Sequence, residues 1–193
     1  MSIHVETISP GRDFIRTVTP FLTPGECAEL IRDSEAEGYA PAPITTPSGF
    51  VMRDDIRNNT RVMRDDHGLA DRLWQRLREF VPEKRAGWRA IGLNERFRFY
   101  RYEPGEYFRW HFDGAFHRSS DERSMLTAMI YLNDDFAGGT TDFDHIERSC
   151  QIRVRPASGK ALLFAHGQRH QGAPPTVNRK YVLRTDVMYR RAV

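Results

Sequence analysis

The stretch 102-YEPGEYFRWHFD-113 places an imidazole and a carboxylate at the end of an aromatic-rich segment. Pro104 and Gly105 favour a turn, and the aromatic residues on either side of them favour β-structure. Successive side chains of a strand point to opposite faces, so we expect His111 and Asp113 on one face and Phe112 on the other. A buried strand rarely carries two such groups on one face unless something there holds them.

Similar short segments follow one another from about residue 88 onward. They are rich in aromatic and β-branched residues and are separated by Gly, Pro, Asn and Asp, which predicts strands joined by turns. The predicted strands are ERFRFYRY (95–102), YFRWHFD (107–113), SMLTAMIYLN (124–133), QIRVRP (151–156), GKALLFAH (159–166) and YVLRTDVMY (181–189). Helices first and strands afterwards argue for an α+β fold, with helices packed on one face of a β-sandwich or barrel.

Two helices are predicted before the strands. In 23-TPGECAELIRDSEAEG-38, Thr23 and Glu26 form a capping box, Pro24 suits the first helical position and Gly38 ends the helix. The second helix, 66-DHGLADRLWQRLREFVPEK-84, has one apolar stripe, which we interpret as core packing. The stripe consists of Leu69, Leu73, Trp74, Leu77 and Val81.

The segment between the helices, 40-APAPITTPSGFVMRDDIRNNTRVM-63, has few strong signals. Its Pro, Ser, Gly and Asn content predicts a long mobile loop. In a compact domain such a loop is often a functional lid.

Length and composition predict one domain over residues 1–193, with a helical support region at about 18–84 and a β-rich core at about 88–190. Of the 193 residues, 28% are charged and 39% are hydrophobic, which suggests neither disorder nor a membrane span. The start, MSIHVETISPGRDFIR, lacks a basic cap followed by an apolar run. We therefore expect a soluble, cytoplasmic protein.

The charge pattern bears on the partners. The net charge of +3 comes from 29 basic and 26 acidic residues, and the arginines are dispersed among the acids, which disfavours a nucleic-acid partner. The sequence leaves the oligomeric state open, a homodimer included.

The pair His111 and Asp113 offers two corners of a metal coordination sphere, although a structural His–Asp hydrogen bond is the commoner explanation of so short a motif on its own. A third ligand can come from 164-FAHGQRHQGAPP-175, where a strand runs out into His166 and His170. Gly167 and the flanking strand argue against a helix that would put both histidines on one face, so we expect only one of them to be a ligand.

Lys180, ten residues after His170, favours His170 as that ligand. Two histidines, one carboxylate and open positions form the facial triad of non-haem Fe(II) oxygenases. Such an iron needs a chelating cosubstrate, and that cosubstrate needs a cation at its far end.

From Tyr102 to Tyr189 the chain resembles the catalytic domain of the 2-oxoglutarate and Fe(II)-dependent oxygenases, closest to the prolyl 4-hydroxylase-like branch. The start of the first helix resembles the usual opening of that branch. The matching segments are 18-VTPFLTPGECAELI-31, 102-YEPGEYFRWHFD-113, 130-IYLNDDFAGGTTDF-143 and 156-PASGKALLFAHGQRHQGAPPTVNRKYVLRTDVMY-189.

The resemblance implies a double-stranded β-helix (a jelly roll, cupin-like) that encloses the metal. It also implies Fe(II), the cosubstrate 2-oxoglutarate and O2. Its iron ligands would be His111, Asp113 and His170. Lys180 would pair with the distal carboxylate of 2-oxoglutarate, beside Tyr102 and Tyr131.

Further residues are expected to face the same pocket. Arg184 lies on the Lys180 face of its strand and can bind 2-oxoglutarate, bind an acidic group of the substrate, or form a self-neutralising pair with Asp186. Arg98 raises the same choice. Thr127 shares a strand face with Tyr131 and is either a pocket residue or ordinary barrel filling.

The expected reaction is hydroxylation of an unactivated C–H bond, with release of succinate and CO2. We expect a small-molecule substrate, amino acid-like or a natural-product intermediate, with peptidyl-proline of a protein as the alternative. Two other classes stay open from the residues: a non-catalytic metal- or ligand-binding jelly roll, and a zinc hydrolase whose three ligands activate water.

Overall fold

The computed structural model describes residues 2–46, 49–145 and 150–192. Two α-helices, two short 3-10 helices and eighteen strands lie in these ranges. The helices are α1 (Pro24–Glu37) and α2 (His67–Leu77), and the 3-10 helices are Gly11–Asp13 and Arg78–Phe80. The strands before the second half of the chain are β1 (His4–Ser9), β2 (Ile15–Thr19), β3 (Ala40–Pro41), β4 (Ile44–Thr46), β5 (Gly49–Val51), β6 (Thr60–Asp65), β7 (Lys84–Arg85) and β8 (Trp88–Leu93). The later strands are β9 (Arg96–Tyr102), β10 (Phe108–His111), β11 (Glu122–Tyr131), β12 (Ala137–Gly138), β13 (Thr141–His145), β14 (Cys150–Val154), β15 (Ala161–Ala165), β16 (His170–Gly172), β17 (Pro175–Val177) and β18 (Lys180–Arg191).

Most strands belong to two antiparallel sheets. The larger has the order β1-β2-β15-β11-β18-β9-β6-β3, with β8 paired to the far end of β18 and β7 paired to β8. The smaller has the order β10-β16-β13-β14. Two short antiparallel pairs, β12 with β17 and β4 with β5, lie outside both sheets.

The two faces of the large sheet bury different sets of side chains. On the inner face, residues of β9, β11, β15 and β18 pack with Phe143 and Val154 of the small sheet in a largely aromatic cluster. On the outer face, alternate residues of the same strands pack against α1 and α2. Phe97 and Phe99 lie fully buried on this outer face, as the alternation of β9 predicts. The double-stranded β-helix with its helices on one sheet is thus confirmed.

The first helix has the predicted ends. The Thr23 hydroxyl accepts a hydrogen bond from the Glu26 amide, and the Glu26 carboxylate accepts one from the Thr23 amide. The second helix is shorter than predicted, because it ends at Leu77 and gives way to a 3-10 turn before Pro82. Four of the five residues in its stripe are buried and Trp74 is half-buried, so the stripe packs on the sheet. Neither helix of the described ranges is long and apolar enough to span a membrane.

The prediction of a structureless loop at 40–63 is wrong. The segment contains β3, the β4–β5 pair and the start of β6, which pairs with β9 at the edge of the large sheet. Most of these strands are too short to show an alternation of apolar and polar residues. In β6 too many residues are polar for that alternation to be clear. Of these strands only β6 pairs with β9, and β3 in turn pairs with β6.

Gly159 joins the N-terminal segment to the core of the large sheet. Its carbonyl accepts hydrogen bonds from the amides of Phe21 and Leu22, and its amide donates to the Tyr131 carbonyl. Its φ of +74° is unfavourable for side-chain-bearing residues, and an added Cβ would lie 2.0 Å from the Leu22 carbonyl oxygen.

We therefore expect Gly159→Ala to lower the free energy of unfolding by roughly 2–3 kcal/mol, because backbone atoms must move. Gly92→Ala is the matched control, since an added Cβ there meets no atom within 4 Å. Urea unfolding of the two variants and the wild type measures the difference. Equal stability of both variants would show that Leu22 shifts freely.

Candidate active site

Two histidines face each other across strands of the small sheet. β10 pairs with β16 so that His111 lies opposite His170. Asp113 is not on the strand as predicted: β10 ends at His111, and Asp113 lies in the segment that follows. It still reaches the histidines, with His111 Nε2 3.7 Å from Oδ1 and His170 Nε2 3.7 Å from Oδ2. All three ligand atoms lie within 4.8 Å of one another.

The backbone fixes the orientation of both imidazoles. His111 Nδ1 lies 2.7 Å from the Arg109 carbonyl, and His170 Nδ1 lies 3.0 Å from the Gln168 carbonyl. A carbonyl only accepts, so each Nδ1 carries the proton and each Nε2 keeps a free lone pair toward Asp113. Such outer hydrogen bonds are typical of metal-ligating histidines.

The protonation states also suit a divalent metal. Burial lowers the pKa of His170 to about 4, which keeps the imidazole neutral at physiological pH. Burial alone would raise the pKa of Asp113, but Arg184, His170 and His111 hold it well below its usual value. Two imidazoles and one ionised carboxylate are the donor set of a facial triad, so the residues fit Fe(II).

Thr127 positions the Asp113 carboxylate. Its hydroxyl donates a 2.6 Å hydrogen bond to Asp113 Oδ2. Having used its proton, the same oxygen can only accept from His166 Nδ1 at 3.1 Å, and Ser124 then donates to His166 Nε2 at 2.8 Å. His166 therefore lies behind the metal ligands, and His170 is the histidine that joins them.

Lys180 lies deeper in the barrel with an unusual environment for a lysine. It is 2% exposed, and its ammonium donates to the Gly139 carbonyl at 2.7 Å. Within the described ranges it forms no ion pair with a carboxylate. Burial lowers the pKa of Lys180 to about 7. A buried cation that lacks an anion is a natural partner for a ligand's carboxylate.

Two tyrosines line the part of the barrel around Lys180. The Lys180 ammonium lies 5.0 Å from the ring centroid of Tyr102 and 5.7 Å from that of Tyr131. The Tyr131 hydroxyl donates to Thr141 Oγ1 at 2.7 Å, and both side chains are buried. Thr141 lines the same narrow cavity between Lys180 and the histidines, a role that sequence analysis missed.

The family model for the 2OG-Fe(II) oxygenase superfamily matches residues 97–185, the part of the chain that contains every group of this site. Residues 97–185 are thus similar in sequence to the 2OG-Fe(II) oxygenase superfamily. This oxygenase is therefore a 2-oxoglutarate-dependent dioxygenase that uses Fe(II), 2-oxoglutarate and O2. The readings as a non-catalytic jelly roll and as a zinc hydrolase lose their support.

Solved structures of prolyl hydroxylases share the fold of the oxygenase. The viral collagen prolyl hydroxylase vCPH of Paramecium Bursaria Chlorella virus-1, in its 2OG complex, has a TM-score of 0.63 and 21% identity, over 93% of this chain and 96% of that one. A Pseudomonas putida prolyl-4-hydroxylase has a TM-score of 0.63 and 22% identity, over 93% of both chains.

A third neighbour was solved with a peptide. It is a prolyl hydroxylase from Trichoplax adhaerens in complex with a peptide fragment of the hypoxia inducible factor oxygen degradation domain. Its TM-score is 0.70 at 15% identity, over 92% of this chain and 83% of that one. At these identities the likeness concerns the fold. No curated protein matches the oxygenase sequence.

Arg184 connects the metal ligands to the mouth of the barrel. It contacts Asp186 at 3.4 Å, as one of the three expectations has it, but it also contacts Asp113 Oδ1 at 3.0 Å. Arg98 contacts the other oxygen of Asp186 at 3.3 Å. The two arginines and two aspartates form one network.

An open cleft of about 600 Å³ leads from the metal ligands to the surface. Arg98, Arg184 and Asp186 lie in its wall, together with residues that sequence analysis did not select: Arg57, Arg61, Tyr100, Trp110 and Phe112. Arg57 and Arg61 come from the segment taken as a loop. Arg61 lies on β6, which pairs with β9, whereas Arg57 forms an antiparallel bridge with Phe108 of β10.

Thr127→Val should weaken the binding of Fe(II) or Mn(II) by about 10–100-fold, because Asp113 loses the donor that orients it. Thr127→Ser keeps the hydroxyl and should restore most of the affinity. Anaerobic calorimetry measures both constants. Wild-type affinity in Thr127→Val would mean that Arg184 alone orients the carboxylate.

Lys180→Met should stabilise the fold at neutral pH. Burial lowers the pKa of Lys180 from 10.5 to about 7, so the wild type gains stability as pH rises through this window, by at most about 1.4 kcal/mol per pH unit from this group. The advantage of the variant should therefore be largest near pH 7 and shrink toward pH 10.

Urea unfolding at several pH values tests this expectation, with exposed Lys84→Met as the control. An advantage of Lys180→Met that does not change with pH would contradict a lowered lysine pKa.

Proposed function

We propose that the oxygenase hydroxylates an unactivated C–H bond of a small molecule, amino acid-like or a natural-product intermediate. The observation that carries the proposal is the His111, Asp113 and His170 cluster at the base of an open cleft, with an unpaired buried Lys180 beyond it. When bound there, Fe(II) supplies the activation of O2 that is coupled to decarboxylation of 2-oxoglutarate into succinate and CO2.

The cosubstrate would occupy the interior of the barrel. Lys180 binds its distal carboxylate, since it is a buried cation of the barrel interior that lacks an anion. Tyr131 and Thr141 offer hydroxyl groups beside it, and Tyr102 closes the wall. The cavity between Lys180 and the histidines is narrow, so bound cosubstrate excludes water from the metal side of the barrel.

Rings hold the two imidazoles in place. Phe108 stacks on His111 with a centroid distance of 3.5 Å, and Phe164 packs edge-on against His170 at 4.6 Å. These contacts restrict ring rotation and leave the Nε2 atoms aimed at one point. Thr127 and Arg184 do the same for Asp113.

The size of the cleft supports a small substrate. A volume of about 600 Å³ lies in the range typical of small-molecule sites, roughly 300–1,000 Å³. The fold neighbours support the alternative, peptidyl-proline of a protein, because they are prolyl hydroxylases and one was solved with a peptide. Both substrates require the same iron and cosubstrate sites.

The test has two stages. Anaerobic addition of Fe(II) and 2-oxoglutarate should give a visible absorption band, and succinate release should then be screened with free amino acids and related acids in one set and with proline-containing peptides in the other. His111→Ala should lose the band and lower succinate release by more than about 100-fold, beyond the usual effect of an outer-shell change. Lys180→Met should bind the metal but not 2-oxoglutarate.

Exposed His117→Ala serves as the matched control and should behave as wild type. Release with peptides alone would establish the alternative substrate. A wild-type protein that binds Fe(II) but never produces the band with 2-oxoglutarate would contradict the proposed cosubstrate site.

A further inference from the structure

Arg57 lies in the wall of the cleft in an environment that leaves its charge unmatched. The residue is 3% exposed, and its guanidinium is sandwiched between the rings of Tyr100 and Phe108, at 4.4 Å from each centroid. The rings satisfy the faces of the guanidinium by cation–π contact. They cannot satisfy the N–H groups at its edge.

The N–H donors at the edge of the Arg57 guanidinium are only partly paired with acceptors. Nε donates to the neutral Asn59 amide oxygen at 2.7 Å, whereas Nη2 is buried without a hydrogen-bond partner. No carboxylate in the described part of the chain forms an ion pair with Arg57. A buried donor that stays unpaired costs about 1–3 kcal/mol, more when it is charged.

A second cation on the same wall is also unmatched. Arg61 is half-buried, lines the cleft and packs over the Phe50 ring at 5.7 Å. Among the described residues no carboxylate pairs with its guanidinium. Burial lowers the pKa of Arg61, and the nearby Arg57 and Arg98 add to this effect. The cleft therefore keeps two cations close together without neutralising them.

The other two arginines of the cleft differ in this respect. Arg98 and Arg184 pair with Asp186, and Arg184 also pairs with Asp113. The excess positive charge acts on Tyr100 as well: burial alone would raise its pKa, but Arg57, Arg184 and Arg98 lower it to about 8. An anion in the cleft would meet the unmatched pair, Arg57 and Arg61.

We propose that Arg57 and Arg61 form a binding subsite for a carboxylate of the substrate. The inference rests on the proposed function and narrows it to a small organic acid. A carboxylate suits the site better than a phosphate, because Asp113 and Asp186 line the same cleft and repel a doubly charged group more strongly.

Stacked side chains separate the proposed carboxylate subsite from the candidate metal site. Arg57 stacks on Phe108, and Phe108 stacks on the metal-ligand candidate His111 at 3.5 Å. The carboxylate is thus separated from the iron side of the cleft by the thickness of an aromatic ring. The oxidised carbon of the substrate lies several bonds away from the carboxylate.

Probes that share a phenyl ring and differ in the polar group test the subsite without knowledge of the substrate. The holoprotein, loaded anaerobically with Fe(II) and saturating 2-oxoglutarate, is titrated with benzoate, benzamide and phenyl phosphate while thermal unfolding is followed. Benzoate should raise Tm saturably, and benzamide should have no effect. Arg57→Met and Arg61→Met should each weaken benzoate binding at least about tenfold, the factor that corresponds to 1.4 kcal/mol. Arg57→Lys should restore part of it.

Arg32→Met on α1 removes the same charge from an exposed position and is the control for net charge. Equal effects of benzoate and benzamide, no saturable binding of benzoate, or benzoate binding that survives in Arg57→Met would each overturn the proposal, and so would tighter binding of phenyl phosphate. The absorption band of the wild-type holoprotein distinguishes failure of the proposed function from failure of the subsite. Its absence counts against the proposed function, whereas its presence without benzoate selectivity counts against the subsite alone.

Discussion

The site depends on the register of β18, which lies between β9 and β11 in the large sheet. Lys180 is paired with Tyr102, and Arg184 lies between Arg98 and Met129. Because alternate residues share a face, this register sends Lys180 and Arg184 to the inside of the barrel and Leu183 to the helix-covered side. A slip of one residue would exchange the two sets, burying leucine in the cavity and two cations under the helices.

Asp113 lies close to polar side chains from both sheets. The histidines come from the small sheet, whereas Thr127 and Arg184, which hold the Asp113 oxygens, come from the large one. The carboxylate is thus the ligand candidate whose polar contacts come from the large sheet. The position of Asp113 relative to the two histidines therefore depends on how the two sheets pack. A change in that packing would first displace Asp113.

Local patterns were enough to predict much of this arrangement. The ends of α1 follow from capping residues, and β9, β10, β11, β14, β15 and β18 follow from strand composition and alternation. The short strands β12, β13, β16 and β17 were not predicted. The set His111, Asp113 and His170 was implied by the resemblance to the 2-oxoglutarate oxygenases. The sequence could not show that Asp113 lies outside the strand, because Phe112 and Asp113 continue the alternation of apolar and polar residues. It could not show Arg57 either, because its place in the cleft comes from a bridge to Phe108, about fifty residues away, and pairing between distant segments leaves no local period.

Lys180 and Arg57 share a thermodynamic consequence. Each is a buried cation without a carboxylate partner in the described ranges, so each lowers the stability of the ligand-free fold. Anionic ligands that bind only the folded state recover this loss, by an amount that grows with the logarithm of their concentration. Two residues that are unfavourable for folding are then the ones proposed to bind the ligands, and substitutions that remove their charges should weaken binding while raising stability. Because Lys180 lies deep in the barrel and Arg57 at the cleft, the two effects arise at separate places, which lets cosubstrate and substrate each stabilise their own part of the site.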